Sequence, residues 1–163
     1  MVATQVGCSP TLDWRNVQVP GSDVVLQMPC RPSSYERQLE LAARPVVMGM
    51  QACRAGDVTW AVSRADVVDP TRVGPALRGL RQAAVANVEG QAGALRPWQR
   101  PGFTPNPEAG QVSIEGRLPR QGAVVTQVAV FAVGTVVFQV SAVGLTRADD
   151  GELFFSSIRR FQP

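Results

Sequence analysis

The sequence predicts an α+β fold, with a central antiparallel β-sheet of about seven or eight strands and two main helices packed on it. Three observations carry this. Short stretches of alternating apolar and polar residues recur from Leu12 to Val67, divided by Pro, Gly and Asp. The apolar period then becomes helical after Asp69. Beyond a proline-rich loop the strand pattern returns, and the chain closes on a short apolar helix.

Leu12 to Val19 alternates in its second half and reads as a strand, and Pro20-Gly21-Ser22-Asp23 is turn chemistry. Val24 to Met28 is a second strand, ended by Pro29 and Pro32. Glu36 to Ala42 alternates around Leu39 and Leu41, and Arg44-Pro45 reads as a turn or bend. Val46 to Cys53 is a more buried strand. Ala55-Gly56-Asp57 is a tight turn, and Val58, Trp60 and Val62 alternate in the strand that follows.

Asp69 is a good N-cap, and Pro70 suits the first helical position. Val73, Leu77, Leu80, Ala84 and Val88 then form one apolar stripe, which Gly90 and Gly93 terminate. Gly74 to Gly79 has P-loop spacing, but Leu80 stands where the lysine must be. Arg96 to Gly110 is too rich in proline for a helix or a central strand. Val112 to Leu118 is a strand, and Val124 to Val133 with Thr135 to Val143 form a hairpin around Gly134. Asp149 or Asp150 caps a final helix with Phe154, Ile158 and Phe161 on one face.

The chain of 163 residues is long enough for a real core, and its 45% hydrophobic content marks it as globular. The longest apolar stretch, Val124 to Val143, is interrupted by Thr126, Gln127, Gly134, Thr135, Gln139 and Ser141, so it is two strands rather than a membrane span. The composition also excludes much chemistry. There is no histidine, and all of the basic charge is arginine. No Ser-His-Asp triad, Cys-His pair, Schiff-base lysine or zinc-histidine site can be built. Of the carboxylate candidates, Glu36 with Glu40 reads as a solvated strand face. Asp66 with Asp69, and Asp149-Asp150 with Glu152, sit at helix starts, where negative charge complements the dipole. The expectation is a non-enzyme with no catalytic residues and no cofactor. The arginines are scattered, so a net charge of +3 does not imply nucleic acid.

Residues 1–12 read as a residual signal peptide and tether, and residues 13–163 as a single α+β domain. Val6-Gly7-Cys8 resembles the end of a bacterial lipobox, with Gln5 where a leucine-like residue is usual, which makes Cys8 the candidate lipidation site. The bland alternative is a tail with a free thiol. If Cys8 is lipidated, Cys30 and Cys53 are left as a pair. Both follow strand-like segments, and a disulfide between them would suit an oxidising compartment such as the periplasm. A second reading of the same region is a Cu(I) site, because Met28, Cys30, Met48, Met50 and Cys53 are all soft sulfur ligands. The best interaction candidate is the loop that carries Arg96, Trp98, Arg100 and Phe103, residue types that supply binding energy at interfaces.

Strands, helix, long loop, three strands and a short C-terminal helix form an order that resembles the PsbP/Mog1-like fold. The resemblance rests on the strand Gly134-Thr-Val-Val-Phe-Gln-Val-Ser-Ala-Val-Gly144 followed by Phe154, Ser157, Ile158 and Arg159, and on the early strand Val25-Leu26-Gln27-Met28-Pro29. It spans about Trp14 to Phe161 and passes no active-site residues to this chain. It implies an accessory or binding protein, often a bacterial lipoprotein. The expectation is therefore a periplasmic domain, anchored to the envelope through lipid, that binds or supports another envelope component.

Overall fold

The computed structural model describes residues 12–161. Most of the chain is one antiparallel sheet. Its strands are β3 (Ser33–Leu41), β4 (Arg44–Ala55), β5 (Val58–Asp66), β6 (Gln91–Ala92), β7 (Arg96–Pro97), β8 (Gly110–Leu118), β9 (Gly122–Val133) and β10 (Val136–Leu145). The order across the sheet is β3-β4-β5-β10-β9-β8-β6, with β7 also paired to β8. A smaller sheet holds β1 (Arg15–Gln18), β2 (Val24–Met28) and β11 (Arg159–Arg160) in the order β1-β2-β11. The helices are α1 (Val73–Asn87) and α2 (Glu152–Ser156). This is the α+β class that the patterning predicts. Among the described residues no helix is long and apolar enough to cross a membrane.

The two faces of the large sheet differ in kind. One carries the aromatic core. Trp98 and Phe138 stack on Phe131 from its two sides, and Phe103 meets both Trp98 and Phe131 edge-on. Trp14, Trp60, Phe154 and Phe155 form a second chain of edge-on contacts. Every tryptophan, and every phenylalanine except Phe161, belongs to one of these chains. The fully buried rings contribute about 2–3 kcal/mol each through removal from water, and the ring geometry adds to this. The small sheet, α2 and the loop after β7 cover this face. Among the described residues the other face has a single cover, α1, which packs chiefly on β9 and β10 and also reaches β3.

Several local expectations need correction. The turn between β3 and β4 is Ala42-Ala43, both at positive φ (50° and 60°), and Arg44-Pro45 already belongs to β4. Pro45 is tolerated because it lies before Gly49, where pairing with β5 begins, so its missing N–H removes no ladder bond on that side. Asp69 does cap, but it caps a single 3-10 turn: its carboxylate accepts from the Thr71 backbone N–H at 2.9 Å, and α1 starts at Val73. At the other end of α1 the left-handed residue is Glu89 (φ 46°), not a glycine. Gly90 serves close approach instead, since a Cβ there would lie 2.7 Å from the Glu115 carbonyl oxygen on β8.

The last helix is much shorter than its apolar pattern suggests. Phe154 lies on α2 and is buried, but Ile158 follows the helix, and Phe161 lies beyond β11 and is exposed. The chain leaves the helix because Arg159 and Arg160 pair with Val25 and Val24 of β2. Ser157 fixes the exit: its hydroxyl donates to the Phe154 carbonyl at 2.7 Å and accepts from the Gln27 backbone N–H at 2.8 Å. Asp23 forms an ion pair with Arg160 that holds its carboxyl below the usual carboxylate range. Asp150 accepts from the Arg147 backbone N–H at 3.1 Å, which ties down the turn before α2.

A disulfide joins Cys30 to Cys53, with the Cα atoms 5.9 Å apart and a sequence separation of 23. Cys30 follows β2 of the small sheet and Cys53 lies in β4 of the large one, so the bond staples one sheet to the other. The chain-entropy model assigns such a loop roughly 3 kcal/mol. Replacing both cysteines with serine is expected to lower the unfolding free energy by about 3 kcal/mol in urea titration. An unchanged midpoint would show that the sheets hold together without the staple.

Candidate functional site

The elements anticipated as functional are largely structural. In the interaction loop Trp98 and Phe103 are each 8% exposed and packed on Phe131. Arg100 lies 4.0 Å from the centre of the Trp98 ring and donates to the carbonyls of Phe155 and Ile158, both at 2.9 Å. Its burial lowers the guanidinium pKa from the ordinary arginine value. The loop is thus folded back to seal the aromatic face rather than displayed, and of the four residues only Arg96 is exposed. Glu108 ties the same loop to α1 through ion pairs with Arg78 (2.7 Å) and Arg81 (2.6 Å), which hold its carboxyl below the usual range.

The soft sulfurs do not gather into a ligand set. Met48 and Met50 lie on the α1 face of the large sheet, and Met28 is fully buried in the core. Cys53, an odd number of residues from Met50 on an unbroken strand, faces the opposite side and is bonded to Cys30. The carboxylates are taken up locally. Asp66 accepts from the Val68 backbone N–H and the Thr135 hydroxyl, at 2.8 and 2.7 Å, and Asp69 caps the turn before α1. Glu36 and Glu40 are exposed on the edge strand β3. Cys8 lies outside the described residues.

The site that does emerge is a cleft between α1 and the large sheet, with a volume of about 380 Å³. Strand register builds it. Ala52 of β4 lies opposite Ala61 of β5, Ala61 opposite Ser141 of β10, and Ser141 opposite Val128 of β9. The first three are small, and the row ends at Val128 on the fourth strand, about 14 Å at ordinary strand spacing. The neighbouring rows are mostly taller. Met50, Ser63 and Gln139 flank it on one side, and Thr59, Val143 and Thr126 on the other. Leu39, Leu41, Met48 and Leu80 close the end nearest β3, and Gly79, Ala83 and Ala84 keep the overlying helix surface low. The row is therefore a trough that α1 roofs without filling.

The chemistry of the trough changes along its length. The end at β3 and β4 is apolar. Over β5, β10 and β9 the lining offers hydroxyl and amide groups from Thr59, Ser63, Thr126, Gln139 and Ser141. Ser63 is 4% exposed, Ser141 8% and Thr126 1%. Thr126 Oγ1 is buried with no hydrogen-bond partner. An orphaned buried hydroxyl costs about 1–3 kcal/mol, so it is a group the fold tolerates rather than uses. The charged lining residues, Arg37 and Glu40, lie on the edge strand β3.

A larger hollow, about 510 Å³, lies by α2 and gathers Arg96 and Arg100 with Gln111, Gln127, Asp149 and Glu152. Its charges are mixed and Arg100 is already committed to backbone carbonyls, so we prefer the helix–sheet cleft, where apolar walls and an unused polar group converge. A further depression beside β3, about 330 Å³, lies on the other face of β4 around Gln51, Val62 and Arg64, where the small sheet stops. Gln51 Oε1 is buried there without a partner among the described residues, and Val19, Pro20 and Val62 supply apolar walls, but the space is smaller than the helix–sheet cleft.

Sequence reasoning missed the cleft residues. Thr126, Gln139 and Ser141 stood out only as interruptions of an apolar run. Their signal was parity, because Gln139 and Ser141 share one face of β10 while Phe138, Val140 and Ala142 fill the other. No family model, curated protein or solved structure matches this chain.

Thr126→Val keeps the shape and removes the orphaned hydroxyl. It is expected to stabilise the ligand-free protein by about 1 kcal/mol in thermal or urea unfolding. A loss of stability would show that the hydroxyl is satisfied within the fold.

Proposed function

We propose that this chain is a non-catalytic binding domain of the bacterial envelope, and that the cleft under α1 is where it binds. The observation that carries this is the combination of a partly roofed, mostly apolar trough with a buried hydroxyl that has no partner among the described residues. Ligand sites are commonly concave, mostly apolar and furnished with a few polar groups that fix orientation. The volume falls in the range of roughly 300–1,000 Å³ found for small-molecule sites. The lining offers hydroxyls and amides that can hold a ligand through hydrogen bonds.

The envelope assignment rests on the cysteines. A disulfide that closes sheet on sheet suits an oxidising compartment. A lipid on Cys8 would anchor such a domain and leave no unpaired thiol. The order of elements and the antiparallel sheet are also what the PsbP/Mog1-like resemblance implies, and membership of that family is part of this proposal.

The test is a titration with the apolar fluorophore N-phenyl-1-naphthylamine. The protein is expected to enhance its emission saturably. Ala61→Leu, which fills the trough at its centre, should weaken binding at least about tenfold while the far-UV spectrum stays unchanged, a loss equal to about 1.4 kcal/mol. Equal binding by the folded variant would move the site elsewhere.

A further inference from the structure

We infer that the ligand of the cleft is an uncharged amphiphile, a single apolar chain or ring body with a hydroxyl- or carbonyl-bearing head, whose head lies over β5, β10 and β9. This deepens the binding reading above and rests on it. Three observations set the class. First, the trough is graded. Leu39, Leu41, Met48 and Leu80 make one end apolar, and Ser63, Ser141 and Thr126 make the other a hydrogen-bonding floor. A purely apolar ligand would leave that floor dry and unpaired, which is costly. Second, Thr126 borders the trough and its Oγ1, buried from solvent, lacks a partner among the described residues, so a head group that reached it would supply the missing hydrogen bond. Third, no charged side chain lines the polar end. Arg37 and Glu40 are both on β3, at the apolar end, and of the two only Arg37 shares the strand face of Leu39 and Leu41.

A carboxylate or phosphate head lodged over Thr126 would therefore be desolvated with no cation to meet it, and an ammonium head would find no carboxylate. A hydroxyl or ester head pairs with hydroxyls and amides at no such cost. The methionines fit the same reading, since flexible thioether side chains adapt to chains of differing shape.

The experiment displaces bound N-phenyl-1-naphthylamine at pH 8 with two competitors that carry the same acyl chain, 1-monolauroylglycerol and laurate. The neutral compound is expected to displace the probe at a concentration at least about tenfold lower. Thr126→Val should weaken 1-monolauroylglycerol roughly five- to tenfold, the usual worth of one buried hydrogen bond. Ser141→Ala, a second variant with little effect on packing, should weaken it in the same sense. Laurate competing as well as the neutral compound, or both variants binding 1-monolauroylglycerol like the parent, would overturn the inference while the binding reading stands. Failure of the probe itself to bind would remove both.

Discussion

The register of the ladder from β4 through β5 and β10 to β9 is the constraint on which the rest depends. It places Ala52, Ala61, Ser141 and Val128 side by side. Side chains alternate between faces with a period of two, so a slip of one residue on β10 would bring Val140 and Ala142 under α1 and turn Ser141 toward the aromatic core. The same register brings Phe131 opposite Phe138 on the far face. One alignment thus fills one side of the sheet and leaves the other short of volume. The pairing is over-determined where it matters, because a slip would bury polar groups among aromatic rings and expose the rings beneath a single helix.

This asymmetry explains why the long proline-rich loop is structural. A sheet with aromatic side chains on one face must be covered along its whole length. The small sheet covers the β4–β5 side, and the disulfide fixes it there. Trp98 and Phe103 extend the cover over β9, with Arg100 locked to the carbonyls that end α2. Among the described residues the opposite face receives only α1, which is held by Arg72 donating to the carbonyls of Val67 and Leu41 and by Glu108 bridging Arg78 and Arg81. Those tethers grip the helix at its start and along one flank. They fix the height of the roof without filling the space under it.

Much of this was legible in the sequence. The strands, the one long helix, the central hairpin and the pairing of Cys30 with Cys53 follow from period, turn chemistry and cysteine count. The errors have physical causes. Phe154, Ile158 and Phe161 fit a helical stripe, yet β2 recruits Arg159 and Arg160 into a strand, and tertiary pairing overrides a local pattern in so short a helix. Trp98, Arg96, Arg100 and Phe103 are interface residue types, but composition cannot say which way a loop folds. The cleft was invisible because it is made of absent volume. Alanine and serine at paired positions become a trough only once the register is known.

The central claim is that the hollow face, not the aromatic face, is the working surface. Backbone amide chemical-shift mapping during titration with 1-monolauroylglycerol tests it most directly. The account predicts perturbations concentrated at Ala61, Ser63, Thr126, Ser141 and the cleft-facing side of α1, with the loop around Trp98 and Phe103 left still. Shifts centred on that loop or on the hollow beside α2, with none at Thr126 and Ser141, would contradict it.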